Sequence, residues 1–465
     1  MMRRRSPLLI LIVAFSSTAQ ARKLDRRSTI AAALAQNPQI AAARAEEAVL
    51  LAQGAQVGAA RMPALGLIVG VGPSDVATLV PGTVDQSVER QYKDLKWSDL
   101  SAVFVTELSV IQPLYTFGKI ALRGEAAQAG LHAKQAETRM RRADVAYAVA
   151  QIYEGMLFAR DAERFFDEMA HWLTATLEET EDKLASGRGG VTERDVLRLQ
   201  AAQGLSAMGL HRAQAGQAQA RAGLAAYLGL PEGEPIALAE DELSPVGTIP
   251  DDPADLGRLA RDHRPELVAL REGRKALDAL GRAERAGYWP DLFAMGFLSL
   301  AYTPGRDWLQ SRFVVDPLNH VVPGALLGLR WQLQGDMSGA RAAEQQARAE
   351  ALAHLSGWAE AGVPAEARKA WEDVHRCDKD IERGVTAVKK AKQWMVEASA
   401  DYDVGLLDVR EVSDAVDSYV TLRLAVLRAR YERNVAMADL SRATGTLDGD
   451  APIFYLAPPA EGGAP

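Results

Sequence analysis

Apolar and polar residues alternate with a period of two over four stretches of this chain, and with helical periods over most of the rest. Leu65, Leu67, Val69 and Val71 share one face of a strand predicted over Pro63 to Gly72. Ala102, Phe104, Thr106, Leu108 and Val110 share one face of a second, over Ala102 to Gln112. A third is predicted over Asp291 to Tyr302 and a fourth over Gly324 to Gln334. In the fourth, Leu327, Leu329, Trp331 and Leu333 face one way, while Gly328, Arg330 and Gln332 face the other. Such alternation belongs to strands wetted on one side only. Prolines at the starts of two of them are compatible with pairing there.

The helical stretches are very long. No proline occurs between Pro113 and Pro231, nor between Pro364 and Pro452. From Gly118 to about Ser186 the chain is rich in Ala, Arg, Glu, Gln and Leu, all good helix formers. A helix of that extent is on the order of 100 Å long, far beyond the globular average, and predicts an elongated molecule. Val416, Val420, Leu424, Leu427, Tyr431, Val435 and Ala438 recur at spacings of three and four, a seam for packing against a neighbouring helix.

The pattern occurs twice. "NPQI" (Asn37 to Ile40) corresponds to "RPEL" (Arg264 to Leu267), and "RMPAL" to "YWPDL", with prolines offset by 227 in both cases. "QPL" ending at Leu114 meets "WQL" ending at Leu333, and Gly189 and Gly229 meet Gly405 and Gly445 at an offset of 216. Each repeat reads as helix, strand, loop, strand, long helix, turn, long helix. The repeats span residues 22–230 and 254–447. Between them lies a linker over 231–253, five prolines among acidic residues, and a tail follows over 448–465.

The first residues add a destination. Arg3, Arg4 and Arg5 precede the apolar run Pro7 to Phe15, and "AQA" (Ala19 to Ala21) has the small-x-small form of a cleavage site. Residues 1–21 thus read as a secretory signal peptide, too short to be a permanent membrane helix. Removing its three arginines takes the formal charge from −8 to −11, which argues against a nucleic-acid partner. The single cysteine, Cys377, reads as a small buried apolar residue.

Strands of about ten residues suffice to cross an outer membrane when tilted. Aromatics fall where the interfaces would lie: Tyr115, Phe117, Tyr288, Trp289 and Trp331 at the helical ends of the strands, Trp97, Tyr302 and Trp308 toward the loops. Four strands do not close a barrel, and a bilayer forbids open sheet edges. The barrel must therefore be shared. Two chains would give eight strands and a filled lumen, three would give twelve and an open one.

The signal peptide, the two-fold repeat, the "QPLYTFGK" join and the segment "YDVGLLDVREVSDAVDSY" together resemble the TolC-type outer-membrane efflux proteins, from about Leu24 to Gly445. The resemblance implies a mainly α-helical chain with a small β part, four transmembrane strands in a twelve-stranded trimeric barrel, and long helical hairpins forming a tunnel. It implies a passive conduit in the outer membrane, docked through a periplasmic adaptor to an inner-membrane transporter. Gly189 and Gly405 match the turns at the tunnel tip, where the family meets the adaptor. Tyr402, Glu411 and Asp414 match positions that narrow the entrance, with Asp195 the first-repeat counterpart. Leu407 stands where the family carries a basic latch residue, "WQLQGD" lacks the proline of its counterpart, and the loop between Gly72 and Ser101 is long. The alternative from another class is a periplasmic coiled-coil adaptor, which has one hairpin between β-rich domains.

Enzymatic readings find little support. The seven histidines show no metal-ligand spacing, and His171, His211, His354 and His375 lie within helical stretches. "SGRGG" (Ser186 to Gly190) follows a helix and lacks the lysine of a phosphate loop, so it reads as a helix turn. The carboxylates of "REVSDAVDSY" sit on a solvated helix, with no pocket implied around them. No cofactor is expected.

Overall fold

A computed structural model describes residues 22–76, 100–187, 190–231, 233–250, 252–308, 315–333, 335–447 and 454–456. In chain order the elements are β1 (Arg22–Leu24), α1 (Arg26–Gln36), α2 (Pro38–Ala59), β2 (Ala64–Asp75), β3 (Leu100–Tyr115), α3 (Lys119–Ala185) and α4 (Glu193–Leu228). They continue as β4 (Ile236–Leu238), α5 (Pro253–His263), α6 (Pro265–Ala286), β5 (Asp291–Tyr302), β6 (His320–Arg330), α7 (Met337–Asp403) and α8 (Val409–Ala443). The signal segment, Trp97 and Gly189 lie outside the described residues. No described helix is long and apolar enough to cross a membrane.

Two compact units cut across the sequence repeats. One takes residues up to Arg44, Ala136–Leu267 and Trp358 onward; the other takes Ala45–Gln135 and Val268–Gly357. The second unit holds an antiparallel sheet in the order β2-β3-β5-β6, so each repeat contributes one hairpin. β2 and β6 are its edges, and neither has a second partner strand in the sheet.

The last strand departs from its sequence reading. It runs from His320 to Arg330 instead of Gly324 to Gln334, leaving Trp331 and Leu333 beyond it. The ladder decides this: β5 starts at Asp291, directly after Pro290, and pairs Asp291 with Arg330, so residues past Arg330 have no β5 partner. At the other end Ala301 and Leu300 pair with His320 and Val321, which lengthens the strand. Pro323 is tolerated inside β6 because an edge strand can leave one amide position unpaired.

The first unit is helical. α1 begins with a capping box in which Asp25 accepts from the Ser28 amide at 2.6 Å and Ser28 Oγ accepts from the Asp25 amide at 3.0 Å. α3 and α4 form one hairpin, α7 and α8 the other. α7 continues through Pro364, whose ring is met by Gly257 of α5, where a Cβ would lie 3.4 Å away. The proline-rich segment between the repeats is built into this unit. β4 pairs in parallel with β1, and Leu243 and Val246 are buried. The chain's end joins the same core, with Tyr455 buried beside Met437 and Leu447.

Candidate functional site

The register of the sheet sorts its side chains into two faces of different chemistry. Leu67 pairs with Leu108, Leu108 with Leu298, and Leu298 with Pro323, so the predicted apolar sets of the separate strands fall on one common face. That face carries Leu65, Val69, Val71, Phe104, Leu300, Val321, Leu327 and Leu329, with Thr106 and Gln112 among its few polar interruptions. It is bare: Leu65 and Leu327 are each 75% exposed. A monomeric soluble protein rarely leaves so continuous an apolar surface open.

The opposite face is smaller and more polar. It carries Gly66, Gly70, Gly72, Glu107, Ser109, Ser299, His320, Gly324, Gly328 and Arg330, interspersed with Ile68, Val105, Ile111, Met295, Val322 and Leu326. Phe293 and Phe297 reach over Gly328 and Gly324 with the tips of their rings, and any larger residue at those glycines would overlap them. Aromatic cover over an edge glycine restores the packing that the missing side chain leaves open.

The aromatics gather at one end of the sheet. Tyr115 meets Phe117 edge-on at 4.7 Å between centroids, and Phe117 stacks on Trp289 at 5.4 Å. Phe117 is the one described residue other than glycine with a positive φ (51°), and Gly118 follows at 85°, which is how the strand turns into α3. Lys119 secures the turn, donating to the Trp289 carbonyl at 2.6 Å and to Asp291 at 2.9 Å. Trp331 Nε1 donates to the Tyr288 carbonyl at 3.1 Å, and the Tyr288 hydroxyl bonds Asp336. Tyr302 and Trp308 lie toward the other end, each about half exposed.

The helical unit holds the remaining candidates. α7 ends in a left-handed glycine: Gly405 has φ 78°, its amide bonds the Tyr402 carbonyl at 3.0 Å, and the Leu406 amide bonds Asp401 at 2.8 Å. This is the paired bonding of a Schellman end, which only glycine adopts without strain. Tyr402 is buried at 8% exposure, and its hydroxyl donates to Thr180 Oγ1 at 3.3 Å. Lys183 sits 4.7 Å over its ring and joins Glu179 at 2.9 Å and Asp403 at 3.3 Å. Burial disfavours that ammonium, but the bonds to the two carboxylates outweigh it and hold its pKa above the usual lysine range.

Asp195 and Glu411 are equivalent in the repeats and occupy the same place, the third position of a second hairpin helix. Asp195 is engaged locally, accepting from the Thr192 amide and hydroxyl at 2.8 Å each. Glu411 and Asp414 are exposed on α8, and Asp414 lies 3.9 Å from Arg410. Asp408 caps α8 through the Arg410 amide at 3.2 Å. Each of these carboxylates thus has its own local setting.

Sequence reading missed the Lys183 bridge between the hairpins, because its partner Asp403 is 220 residues away. It also missed the polar line of Glu107, Ser299 and His320. The alternation of β3 contains the signal for Glu107, which is out of phase with Leu108.

Comparison with known proteins agrees with this architecture. Residues 29–230 match the outer membrane efflux protein family. No curated protein sequence matches the chain. Among solved structures, CusC is similar with a TM-score of 0.74 and 19% identity, over 92% of this chain and 95% of that one. The outer membrane protein VceC of Vibrio cholerae has a TM-score of 0.71 and 18% identity, over 90% and 96%. The MtrE outer membrane channel of Neisseria gonorrhoeae, in its open state, has 0.71 and 18%, over 91% and 89%. These likenesses run over both hairpins and both strand pairs, whereas the adaptor alternative accounts for one hairpin. Residues 29–230 are thus similar to the outer membrane efflux protein family, and the fold of the chain is that of the TolC-type outer-membrane channels.

Proposed function

We propose that three copies of this chain close a twelve-stranded barrel in the outer membrane, continued by a helical tunnel through which substrates pass passively from an inner-membrane transporter and its periplasmic adaptor. One observation carries the proposal: a four-stranded sheet with two unpaired edges and one bare apolar face. In a bilayer those edges must be paired, and pairing β6 of one protomer with β2 of the next removes every edge. The bare face then meets lipid and the glycine-rich face lines the lumen. The aromatic cluster at Tyr115, Trp289 and Trp331 supplies the belt at one interface. Detergent-purified protein should scatter light as a trimer once the detergent mass is subtracted. A water-soluble monomer overturns the proposal, and a dimer overturns its open lumen.

Gly405, with Gly189 as its repeat equivalent, would form the tips that meet the adaptor, and Tyr402 would brace the entrance from within by bonding α3. Asp195, Glu411 and Asp414 would ring the entrance, three carboxylates from each protomer. Charges on a narrow wall are screened less than on open surface and favour cations. Glu411→Ala with Asp414→Ala should therefore lower the cation preference read as a reversal potential in a salt gradient. The loss should shrink at high salt. Asp417→Ala is the control, since Asp408, the α8 cap, would perturb the helix itself. An equal effect at Asp417 leaves only a general acidic tip. Asp195→Ala should cost about 1 kcal/mol of helix stability in addition, because it also removes half of a capping box.

A further inference from the structure

Across the sheet face opposite the bare apolar one, Glu107, Ser299 and His320 lie in a line over three adjacent strands. Glu107 is directly opposite Ser299 in the β3–β5 ladder, and Ser299 Oγ is 2.9 Å from His320 Nε2. His320 Nδ1 is 2.8 Å from the Asp316 carbonyl oxygen. A carbonyl only accepts, so Nδ1 carries the proton, and the neutral ring accepts from the Ser299 hydroxyl through Nε2. On protonation Nε2 donates to the same oxygen, because a hydroxyl serves either role. The ring therefore changes charge without losing a partner or changing its rotamer.

The surroundings leave this line electrically distinct. Around it on the same face are Gly70, Gly72, Val105, Phe297 and Gly324, none of them charged. The charged groups next to His320 are few. Asp316 is engaged with Arg306 in a buried pair at 2.7 Å, and Glu107 is exposed. At the far end of β5 and β6, Asp291 is shared between Lys119 at 2.9 Å and Arg330 at 3.5 Å. His320 is also the one histidine of the sheet strands; the chain's other six lie at 132, 171, 211, 263, 354 and 375, within helices.

We propose that Glu107, Ser299 and His320 form a band around the lumen of the barrel that sets its charge selectivity, with His320 making that selectivity respond to pH. This rests on the trimeric barrel proposed above, in which the glycine-rich face is luminal. Three copies place three carboxylates and three imidazoles in one belt, set apart along the strands from the Asp291 and Arg330 pair at the other end of the same face. With the rings neutral the belt is anionic and favours cations. With the rings protonated, each imidazolium offsets a carboxylate and the preference falls. Histidine is the side chain whose unperturbed charge change falls between about pH 5 and 8.

The test uses the purified full chain in planar bilayers, with the cation-to-anion permeability ratio taken from the reversal potential in a potassium chloride gradient. From about pH 7.5 to about pH 5.5 the ratio of the wild-type pore should fall by about twofold or more. His320→Gln should hold the higher value at both ends, and His320→Lys the lower one. Glu107→Gln should lower the ratio across the whole range. A His320→Gln pore that titrates like wild type overturns the proposal, as does a Glu107→Gln pore with an unchanged ratio. Should the His320 variants not assemble, Glu107→Gln decides alone, since an exposed carboxylate leaves no buried partner behind. A wild-type protein that forms no pore takes down the channel reading together with this one. A wild-type pore indifferent to both residues leaves the channel reading standing and overturns only the band.

Discussion

Glu154→Ala should destabilise the helical unit by roughly 3–5 kcal/mol, the cost of leaving a buried charge without its partner. Glu154 lies on α3 with no exposed surface. It accepts from Arg26 Nε at 2.5 Å and Nη2 at 3.2 Å, from Asn434 Nδ2 at 2.8 Å and from the Tyr455 hydroxyl at 2.5 Å. Those partners come from the start of α1, from α8 and from the chain's end, so one carboxylate ties both repeats to both ends of the described chain. Without it, Arg26, whose side chain is 11% exposed, retains Glu240 at 3.0 Å as its only described acid. Burial works against the Arg26 charge, yet the bonds to Glu154 raise its pKa, so the guanidinium stays ionised and the deletion strands it.

Tyr455→Phe removes one bond from the same group and should cost about 1–2 kcal/mol. The midpoint for loss of helical circular dichroism should follow the order wild type, Tyr455→Phe, Glu154→Ala. Equal midpoints for wild type and Glu154→Ala would mean that the hub contributes nothing. Alkali provides an independent check. Burial, then the adjacent carboxylates, raise the phenol pKa values of Tyr153 and Tyr455 above the usual tyrosine range. A raised folded pKa gives stability that is complete below the unfolded value and lost as pH climbs through the folded one. The decline should therefore begin as pH passes about 10.

That hub was invisible in the sequence, and the reason is physical. A lone glutamate within a long Ala- and Arg-rich helix has the pattern of a solvated face, and its partners are 128 and 301 residues away. The segment between the repeats misled in the same way. Its prolines mark chain that is neither helix nor long strand, but composition does not reveal that Leu243 and Val246 are buried or that β4 pairs with β1 over three residues. The sheet was far more legible. Alternation depends on each strand alone, so the apolar sets of β2, β3 and β6 were readable without knowing which strands were neighbours. The end of β6 was not, because it depends on where β5 begins to pair. Glu107 and His320 required the register of two ladders to become one feature. At the tips, the repeat offset located Gly405, whose positive φ needs glycine, while the Lys183 contact with Tyr402 and Asp403 depends on how α3 meets α7.

Gly445→Ala should destabilise the protein by roughly 2–5 kcal/mol, while Gly229→Ala, its equivalent in the first repeat, should cost about 1–2 kcal/mol. Both glycines end the second helix of a hairpin with positive φ, 64° at Gly229 and 72° at Gly445. Both lie at the corner where a short helix meets the next. In the first repeat, Asn37 at that corner donates to the Tyr227 carbonyl at 3.2 Å. In the second, its counterpart Arg264 reaches the Arg442 carbonyl at 3.4 Å. The left-handed backbone strains an alanine equally at the two sites, so that term cancels in the comparison. Space does not cancel. A Cβ at Gly229 would meet Gln36 O at 3.7 Å, an ordinary contact. At Gly445 it would lie 2.7 Å from His263 C and O and 2.9 Å from Arg264 N. Those are backbone atoms, and no rotamer change relieves them, so the corner between α5 and α6 must move. Moving it disturbs Arg264, which is buried and bound to Glu366 at 2.5 Å and Glu266 at 3.2 Å. Thermal midpoints of the two single variants against wild type decide the matter. Equal losses would mean that φ strain alone accounts for both glycines and that the second corner yields as readily as the first.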